Sequence, residues 1–277
     1  MISENIILKI PYEKAGISKK SGPARMTSYR LKQRQYLNPD AARPAVLICP
    51  GGGYRQVSER EGEPVAIQIN AMGYHAFVLD YSVGEERFPT QLMEAASGVA
   101  LIRKKSREWN VDPDKIFIMG FSAGGHLACS LGVFWNQEFL QEALSLPKVA
   151  IRPNGLILCY PVITSGKYAH RGSFKHLLGE EKKELMELVS LENQVGSHVP
   201  KTFLWHTYTD LAVPVENSFL LAAALRNYNI NLEMHIYPVG SHGLSLANEE
   251  TKKDDGMGIE PQCQSWIHLL EIWLKNF

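Results

Sequence analysis

The sequence predicts an α/β fold, a mostly parallel, doubly wound sheet with helices on both faces. Three observations predict it. Short apolar runs alternate with segments of helical spacing along most of the chain. Several of those runs are apolar at every position and stop at Gly or Pro, the pattern of a strand covered on both faces. The 277 residues, 45% of them apolar, suffice for one large core, so residues 1–277 are expected to form a single domain.

Two patchy strands open the chain, at 6–10 and 28–37, with Gly16, Gly22 and Pro23 marking a turn region between them. The run Ala45-Val46-Leu47-Ile48-Cys49 then reads as a buried strand that ends in Pro50-Gly51-Gly52-Gly53. Residues 63–72 have helical spacing (Val65, Ile67, Ile69, Met72) and stop at Gly73. Residues 75–81 form a second buried strand. Residues 90–109 predict a long helix, with Thr90 as N-cap and Leu92, Ala96, Val99 and Ile102 apolar. A short strand at 116–119 and a helix at 124–135 follow. Residues 155–160 form a strand ended by Pro161, and 202–206 another. The helix at 215–228 places Phe219, Leu220, Ala223, Ala224 and Leu225 on its apolar side. Residues 232–237 are the last strand, and 262–277 close the chain as an amphipathic helix carrying Trp266, Leu269, Leu270 and Trp273. Right-handed crossovers stack such units into a doubly wound sheet. Only 163–200 breaks the rhythm: it is polar, charged across 180–187, and holds one expected helix. Two readings stay open for it, a small lid over the carboxyl edge of the sheet and a solvated surface excursion.

Composition excludes several functions. Lys+Arg and Asp+Glu number 29 each, so no basic excess points to a nucleic-acid partner. No apolar stretch approaches the roughly 18 residues of a membrane span. Cys49, Cys129, Cys159 and Cys263 are widely spaced with no CxxC pair, which suits buried thiols in a reducing compartment rather than disulfides or a metal site. The N-terminal residues are not basic, and Ile6-Ile7-Leu8 is too short for a leader. The expectation is a cytoplasmic protein without membrane contact, cofactor or metal ion. No motif fixes its oligomeric state, and a homo-oligomer stays open.

The most informative stretch is Ile116-Phe117-Ile118-Met119-Gly120-Phe121-Ser122-Ala123-Gly124-Gly125-His126, which sets G-x-S-x-G between a strand and a helix. Small residues two before and two after the serine remove clashes at a sharp turn, and the helix N-terminus behind it favours developing negative charge. A serine hydroxyl needs an adjacent base, and the base an orienting acid. In this strand order the acid follows a late strand and the histidine the last one. Asp210 and His242 fit, both just past strand ends on the edge that carries Ser122. Glu216 is the alternative acid, although at a helix start it more naturally serves the dipole. Among the other histidines, His75 and His235 read as packed strand residues. His126 points elsewhere or back against the sheet, and His206 reads as structural. His170, His176 and His198 fall within 163–200, and His268 lies on the terminal helix. Acyl transfer also needs backbone N–H groups aimed at the developing oxyanion. The glycine loop at 51–53 and the N–H of Ala123 are placed to supply them. A phosphate cradle is disfavoured, since 54–61 separates the glycines from the next helix and no GK[ST] occurs.

These segments resemble the esterase/lipase branch of the α/β-hydrolase superfamily over residues 44–277. PGGGY (50–54) is similar to the HGGG oxyanion loop of esterases, GFSAGGH (120–126) to their nucleophile elbow, HTYTDLAVP (206–214) to the acid loop and GSHG (240–243) to the histidine loop. With SEREGEPVA (58–66), YSV (81–83) and HGLSL (242–246), the chain resembles the bacterial acetyl-xylan-esterase-like or feruloyl-esterase-like group. The resemblance implies the α/β-hydrolase fold, with Ser122 as nucleophile, His242 as base and Asp210 as acid. By position it implies Gly52, Gly53 and Ala123 as oxyanion donors. Pro50 replaces the histidine of HGGG, so this loop must be held in another way.

The expected function is a serine esterase that acts through an acyl-enzyme on a small-molecule ester, such as acetylated sugars or oligosaccharides. Tyr54 and Phe121 are the candidate substrate contacts. A small serine aminopeptidase or acyl-peptide hydrolase on the same fold is the rival. About 43 residues before the first buried strand leave little room for the large filtering domain such peptidases carry. A non-catalytic ligand-binding protein is the third reading, and it would normally have lost a member of the triad.

Overall fold

The all-apolar runs occupy the middle of a sheet assembled from β1 (Ile2–Ile7), β2 (Arg25–Arg30), β3 (Arg43–Cys49), β4 (His75–Asp80), β5 (Val111–Phe121), β6 (Gly155–Cys159), β7 (Lys201–Thr207) and β8 (Leu232–Tyr237). The computed structural model describes residues 1–33, 41–179 and 183–277. The strands lie in the order β1-β2-β4-β3-β5-β6-β7-β8. From β4 to β8 all pairs are parallel, while β1–β2 and β2–β4 are antiparallel. The central β3–β5 ladder runs in register from Ala45 opposite Ile116 to Cys49 opposite Gly120.

Strand alternation feeds two cores. On one face Ala45, Leu47, Ile116 and Ile118 meet Leu92, Ala96, Val99 and Ile102 of α2 (Thr90–Lys104), Leu127 and Leu131 of α4 (Ala123–Phe134), and Leu221 and Leu225 of α9 (Glu216–Asn227). On the other, Val46, Ile48, Phe117, Met119 and Phe121 meet Val65 and Ile69 of α1 (Glu63–Ala71) and Trp266, Leu270 and Trp273 of α10 (Trp266–Lys275). Trp266 stacks on Trp205 of β7 with ring centroids 5.3 Å apart, which locks the last helix to the sheet. Each fully buried side chain of Leu or Phe size contributes about 1.5–3 kcal/mol, so both faces must be covered and the layered arrangement follows. Among the described residues no helix is long and apolar enough to cross a membrane.

Several local expectations change. The first strand is Ile2–Ile7 rather than 6–10, and the second is Arg25–Arg30 rather than 28–37, of which 34–37 lies outside the described residues. β1 is an edge strand with mostly exposed side chains, so hydrophobic alternation carries little information there. Thr90 is the first helical residue, preceded by Pro89, not the cap. The long helix breaks at Lys105, and Ser106–Trp109 forms a separate turn, α3. The apolar side expected of α9 is rotated: Phe219 and Leu220 are 40% and 37% exposed, while Asn217, Ser218, Leu221 and Leu225 are buried. Polar anchors set that rotation. The Asn217 amide oxygen accepts from the N–H groups of Ile163 and Thr164, and Ser218 hydrogen-bonds His206. Two short helices, α5 (Glu138–Leu144) and α6 (Lys148–Ile151), are additional to those expected and pack against α2. Among the described residues of 163–200 there are two α-helices, α7 (Arg171–Leu178) and α8 (Lys183–Leu188), where one was expected. Phe174 and Leu177 of α7 enter the core, which ties this segment to the sheet.

Candidate active site

Ser122 sits at the junction of β5 and α4 with φ 53° and ψ −118°. For a residue with a β-carbon such a conformation costs about 1–3 kcal/mol and persists only where neighbours enforce it. The neighbours do so by close approach. A Cβ on Gly120 would lie 2.0 Å from the Gly124 carbonyl oxygen, and a Cβ on Gly124 would lie 2.1 Å from the Cys49 oxygen and 2.3 Å from the Pro50 oxygen. The elbow is thereby wedged against the end of β3, where the 50–54 loop begins. The Ser122 N–H donates to the Cys159 carbonyl at 3.0 Å, and its own carbonyl accepts from the N–H groups of His126 and Val162.

The three side chains named from the sequence meet here. Ser122 Oγ lies 2.7 Å from His242 Nε2, and His242 Nδ1 lies 2.6 Å from Asp210 Oδ2. The loops after β5, β7 and β8 deliver them to one edge of the sheet. Asp210 Oδ1 accepts from the N–H groups of Ala212 and Val213, at 2.9 Å each. His206 adds a second imidazole that the sequence had marked only as structural. Its Nε2 donates to the Val213 carbonyl at 3.0 Å and lies 3.3 Å from Asp210 Oδ2, while its Nδ1 accepts from the Ser218 hydroxyl at 2.7 Å. Burial on its own raises the pKa of Asp210. The hydrogen bonds from His206 and His242 outweigh it and hold the carboxyl well below the usual range. Asp210 is therefore an anion oriented by four donors. Glu216, the alternative acid, lies in the first turn of α9, and Asp210 is the carboxylate that meets His242.

The 50–54 loop, which lacks the histidine of HGGG, is held from four directions. The Gly51 N–H donates to Glu61 Oε2 at 2.7 Å, and the Tyr81 hydroxyl donates to the Pro50 carbonyl at 2.7 Å. The Tyr54 hydroxyl donates to His126 Nδ1 at 2.8 Å, and His176 Nδ1 lies 3.1 Å from the Gly53 carbonyl. His126 in turn donates from Nε2 to the Val189 carbonyl at 2.9 Å, and burial lowers its pKa to about 4, so it stays neutral. With the Gly51 amide engaged by Glu61, Gly52 and Gly53 are the next amides at the cleft wall. Gly52 takes φ 125°, where a Cβ would lie 2.1 Å from the Gln56 oxygen, and Gly53 takes φ 66°.

A cleft of about 400 Å³ opens over Ser122 and His242. Tyr54 and Phe121, the candidate substrate contacts, do not line it. Tyr54 is 1% exposed and committed to His126, and Phe121 is fully buried against Tyr160 and Trp266. The walls come instead from Arg55, Gln56, Arg60, His170, His176 and Lys253, among others. Sequence reasoning also missed Glu61 and Tyr160. Glu61 Oε1 accepts from the Tyr160 hydroxyl at 2.7 Å, and that hydroxyl accepts from the Ser245 N–H at 2.8 Å. The Tyr160 ring stands edge-on to His242, with centroids 5.2 Å apart. One carboxylate thus joins the glycine loop to the histidine loop. Its only sequence signal was its place within SEREGEPVA. Among the described residues no group of three or more His, Cys, Asp or Glu is arranged to hold a metal ion.

A mostly parallel sheet with a serine elbow after its central strand and a carboxylate and a histidine on later loops of the same edge defines an α/β hydrolase. Residues 36–225, over two thirds of the chain, match the BD-FAE family, and the chain belongs to it. It is 40% identical over 220 residues to endo-1,4-beta-xylanase B of Butyrivibrio fibrisolvens, covering 77% of this chain and 34% of that protein. It is 32% identical over 211 residues to the acetylxylan esterase of Xylanibacter ruminicola, covering 73% of this chain and 41% of that protein. The chain thus spans less than half the length of these curated relatives. Among solved structures, the acetyl ester-xyloside bifunctional hydrolase from Caldicellulosiruptor lactoaceticus matches with a TM-score of 0.84 at 34% identity, over 99% of this chain and 96% of that one.

Proposed function

We propose that the protein is a serine carboxylic-ester hydrolase that removes acetyl groups from small acetylated sugars or oligosaccharides. The observation that carries this reading is the unbroken hydrogen-bond chain from Ser122 Oγ through His242 to Asp210 at the floor of an open cleft. The acetylxylan esterase and the acetyl ester-xyloside hydrolase among its relatives support the substrate class.

In the mechanism, Ser122 Oγ attacks the ester carbonyl carbon while its proton passes to His242 Nε2. Asp210 accepts the Nδ1–H bond and stabilises the imidazolium. The N–H groups of Gly52, Gly53 and Ala123 receive the oxyanion, and each such donor is worth about 3 kcal/mol in the transition state. Collapse of the intermediate expels the alcohol, whose oxygen takes the proton from His242. Water, deprotonated by the same imidazole, then cleaves the acyl-serine. We infer a cytoplasmic setting as well, a reading supported by four thiols that are all free and buried.

Hydrolysis of p-nitrophenyl acetate, followed by acetate release from acetylated xylo-oligosaccharides, tests the proposal. A folded wild-type protein that releases p-nitrophenol no faster than the Ser122→Ala variant refutes it. Cleavage of amino-acid anilides in preference to acetyl esters would transfer the site to the peptidase reading.

A further inference from the structure

We propose that the cleft selects acetyl esters whose alcohol portion carries a carboxylate, namely acetylated sugars bearing a uronic acid, over their neutral counterparts. This rests on the esterase reading above and deepens it.

The chain as a whole has no net charge, yet the cleft wall is cationic. Arg55, Arg60 and Lys253 line it, and the carboxylate among the lining residues, Glu61, is already engaged by the Gly51 N–H and the Tyr160 hydroxyl. Among the described residues no carboxylate forms an ion pair with any of the three cations. Two of them are nevertheless fixed. Lys253 Nζ donates to the His242 carbonyl at 3.1 Å. Arg60 donates from Nη1 to the Gly243 carbonyl at 3.1 Å and from Nε to the Thr251 carbonyl at 2.7 Å. Carbonyl acceptors orient a cation without cancelling its charge, so the positive potential remains available to a ligand.

The position of these cations decides which part of the substrate they meet. His242 Nε2 returns a proton to the departing alcohol oxygen, so the alcohol lies beside the loop that carries His242. Lys253 and Arg60 grip the backbone of that loop at residues 242 and 243. The acyl carbonyl, by contrast, faces the glycine loop. A carboxylate on the alcohol side therefore enters the field of two cations that, among the described residues, have no ion-pair partner of their own. Because the cleft is open to solvent, each such pair contributes modestly. A combined preference of roughly 3- to 10-fold in kcat/KM follows from exposed ion pairs.

The test compares methyl glucuronoside and methyl glucoside acetylated at the same position, which differ only in carboxylate against hydroxymethyl. The wild-type protein should favour the uronate by that factor at low salt. The ratio should fall towards one at about 0.5 M salt, where the screening length drops below about 5 Å. Lys253→Gln should lower the ratio, and Lys253→Arg should keep it. The ratio is the readout, so a change in absolute rate does not affect the outcome. Equal rates on the two sugars, a ratio insensitive to salt, or an undiminished ratio in Lys253→Gln would overturn the inference. Cleavage of p-nitrophenyl acetate by the same preparation separates the two layers. If that ester is cleaved and the sugars are not discriminated, only the specificity inference fails. If it is not cleaved, the esterase reading itself falls.

Discussion

Replacing Glu61 by Gln removes one of two acceptors at the joint between the glycine loop and the histidine loop. Glu61 is 3% exposed, and both of its oxygens are used, one by the Gly51 N–H and one by the Tyr160 hydroxyl, at 2.7 Å each. A glutamine keeps a single acceptor oxygen. If its amide nitrogen faces Gly51, two donors meet head on. If it faces Tyr160, the hydroxyl oxygen, which already accepts from Ser245, must take a second donor while its own proton loses an acceptor. Either arrangement strands one buried donor, which costs about 1–3 kcal/mol of stability. The catalytic consequence follows from position. Gly51 immediately precedes the amides proposed for the oxyanion, and losing such a donor outright costs about 10²–10³ in kcat. A displaced donor should cost less, so kcat is expected to fall about 10- to 100-fold with KM changed by less than about threefold, because the oxyanion forms only in the transition state. Steady-state hydrolysis of p-nitrophenyl acetate beside a thermal melt measures both quantities. A lowered melting temperature with kcat intact would reduce Glu61 to a packing role. A raised KM with kcat unchanged would place its effect on substrate binding and sink the oxyanion-loop argument.

The remaining predictions concern the serine, the elbow and the acid. Ser122→Ala should lower kcat by about 10⁶-fold, the scale seen when a triad loses its nucleophile. A fluorophosphonate probe should label the wild type and not the variant, and labelling of both would point to a different nucleophile. Gly124→Ala places a Cβ about 2 Å from two carbonyl oxygens, so the loop after β3 must shift. We expect a clear drop in melting temperature together with loss of activity, and a fully active, equally stable variant would disprove the wedge. Asp210→Asn should cut kcat by about 10⁴-fold, as the amide no longer holds the required tautomer. The same variant tests linkage by chemical denaturation. The folded pKa of Asp210 lies below its unfolded value, so its ionised form stabilises the protein above the ordinary carboxylate range, and that contribution is lost as pH falls towards the folded value. The stability gap between wild type and variant should therefore narrow in acid, and a gap that widens would contradict the sign.

The central sheet was legible because its strands are buried on both faces, which leaves a continuous apolar run that needs no partner to be read. β3, β4, β6, β7 and β8 begin and end within two residues of their expected bounds, whereas β5, expected at 116–119, starts five residues earlier, through the exposed stretch 113–115. The same logic explains the failures. β1 is exposed at an edge and has no such run. Apolar spacing alone predicts the wrong inward face for α9. There the inward positions belong to Asn217 and Ser218, whose partners Ile163, Thr164 and His206 are distant in sequence. A polar residue that is buried because it is hydrogen-bonded cannot be told from a solvated one by pattern alone.

The site divides along the same line. Glycines 120 and 124 flank the serine within one turn of chain, so their steric reason can be read locally. The loop that faces the serine could be found but not explained, since its anchors come from afar. Tyr54 and His126 are 72 residues apart, Glu61 and Tyr160 99, and Gly53 and His176 123. Tyr54 looked like a substrate contact because it follows three glycines at the mouth of a strand. It is instead the post by which that loop is tied to α4 through His126. Pro50 bears on the same point. Proline brings no side-chain donor and no N–H, so it cannot supply the tie that a histidine at this position would make. Here the Pro50 carbonyl is held by Tyr81 and the next amide by Glu61. That second tie does more than fix the loop. Through Tyr160 the same carboxylate reaches Ser245, three residues beyond His242, so one side chain ties the glycine loop to the histidine loop.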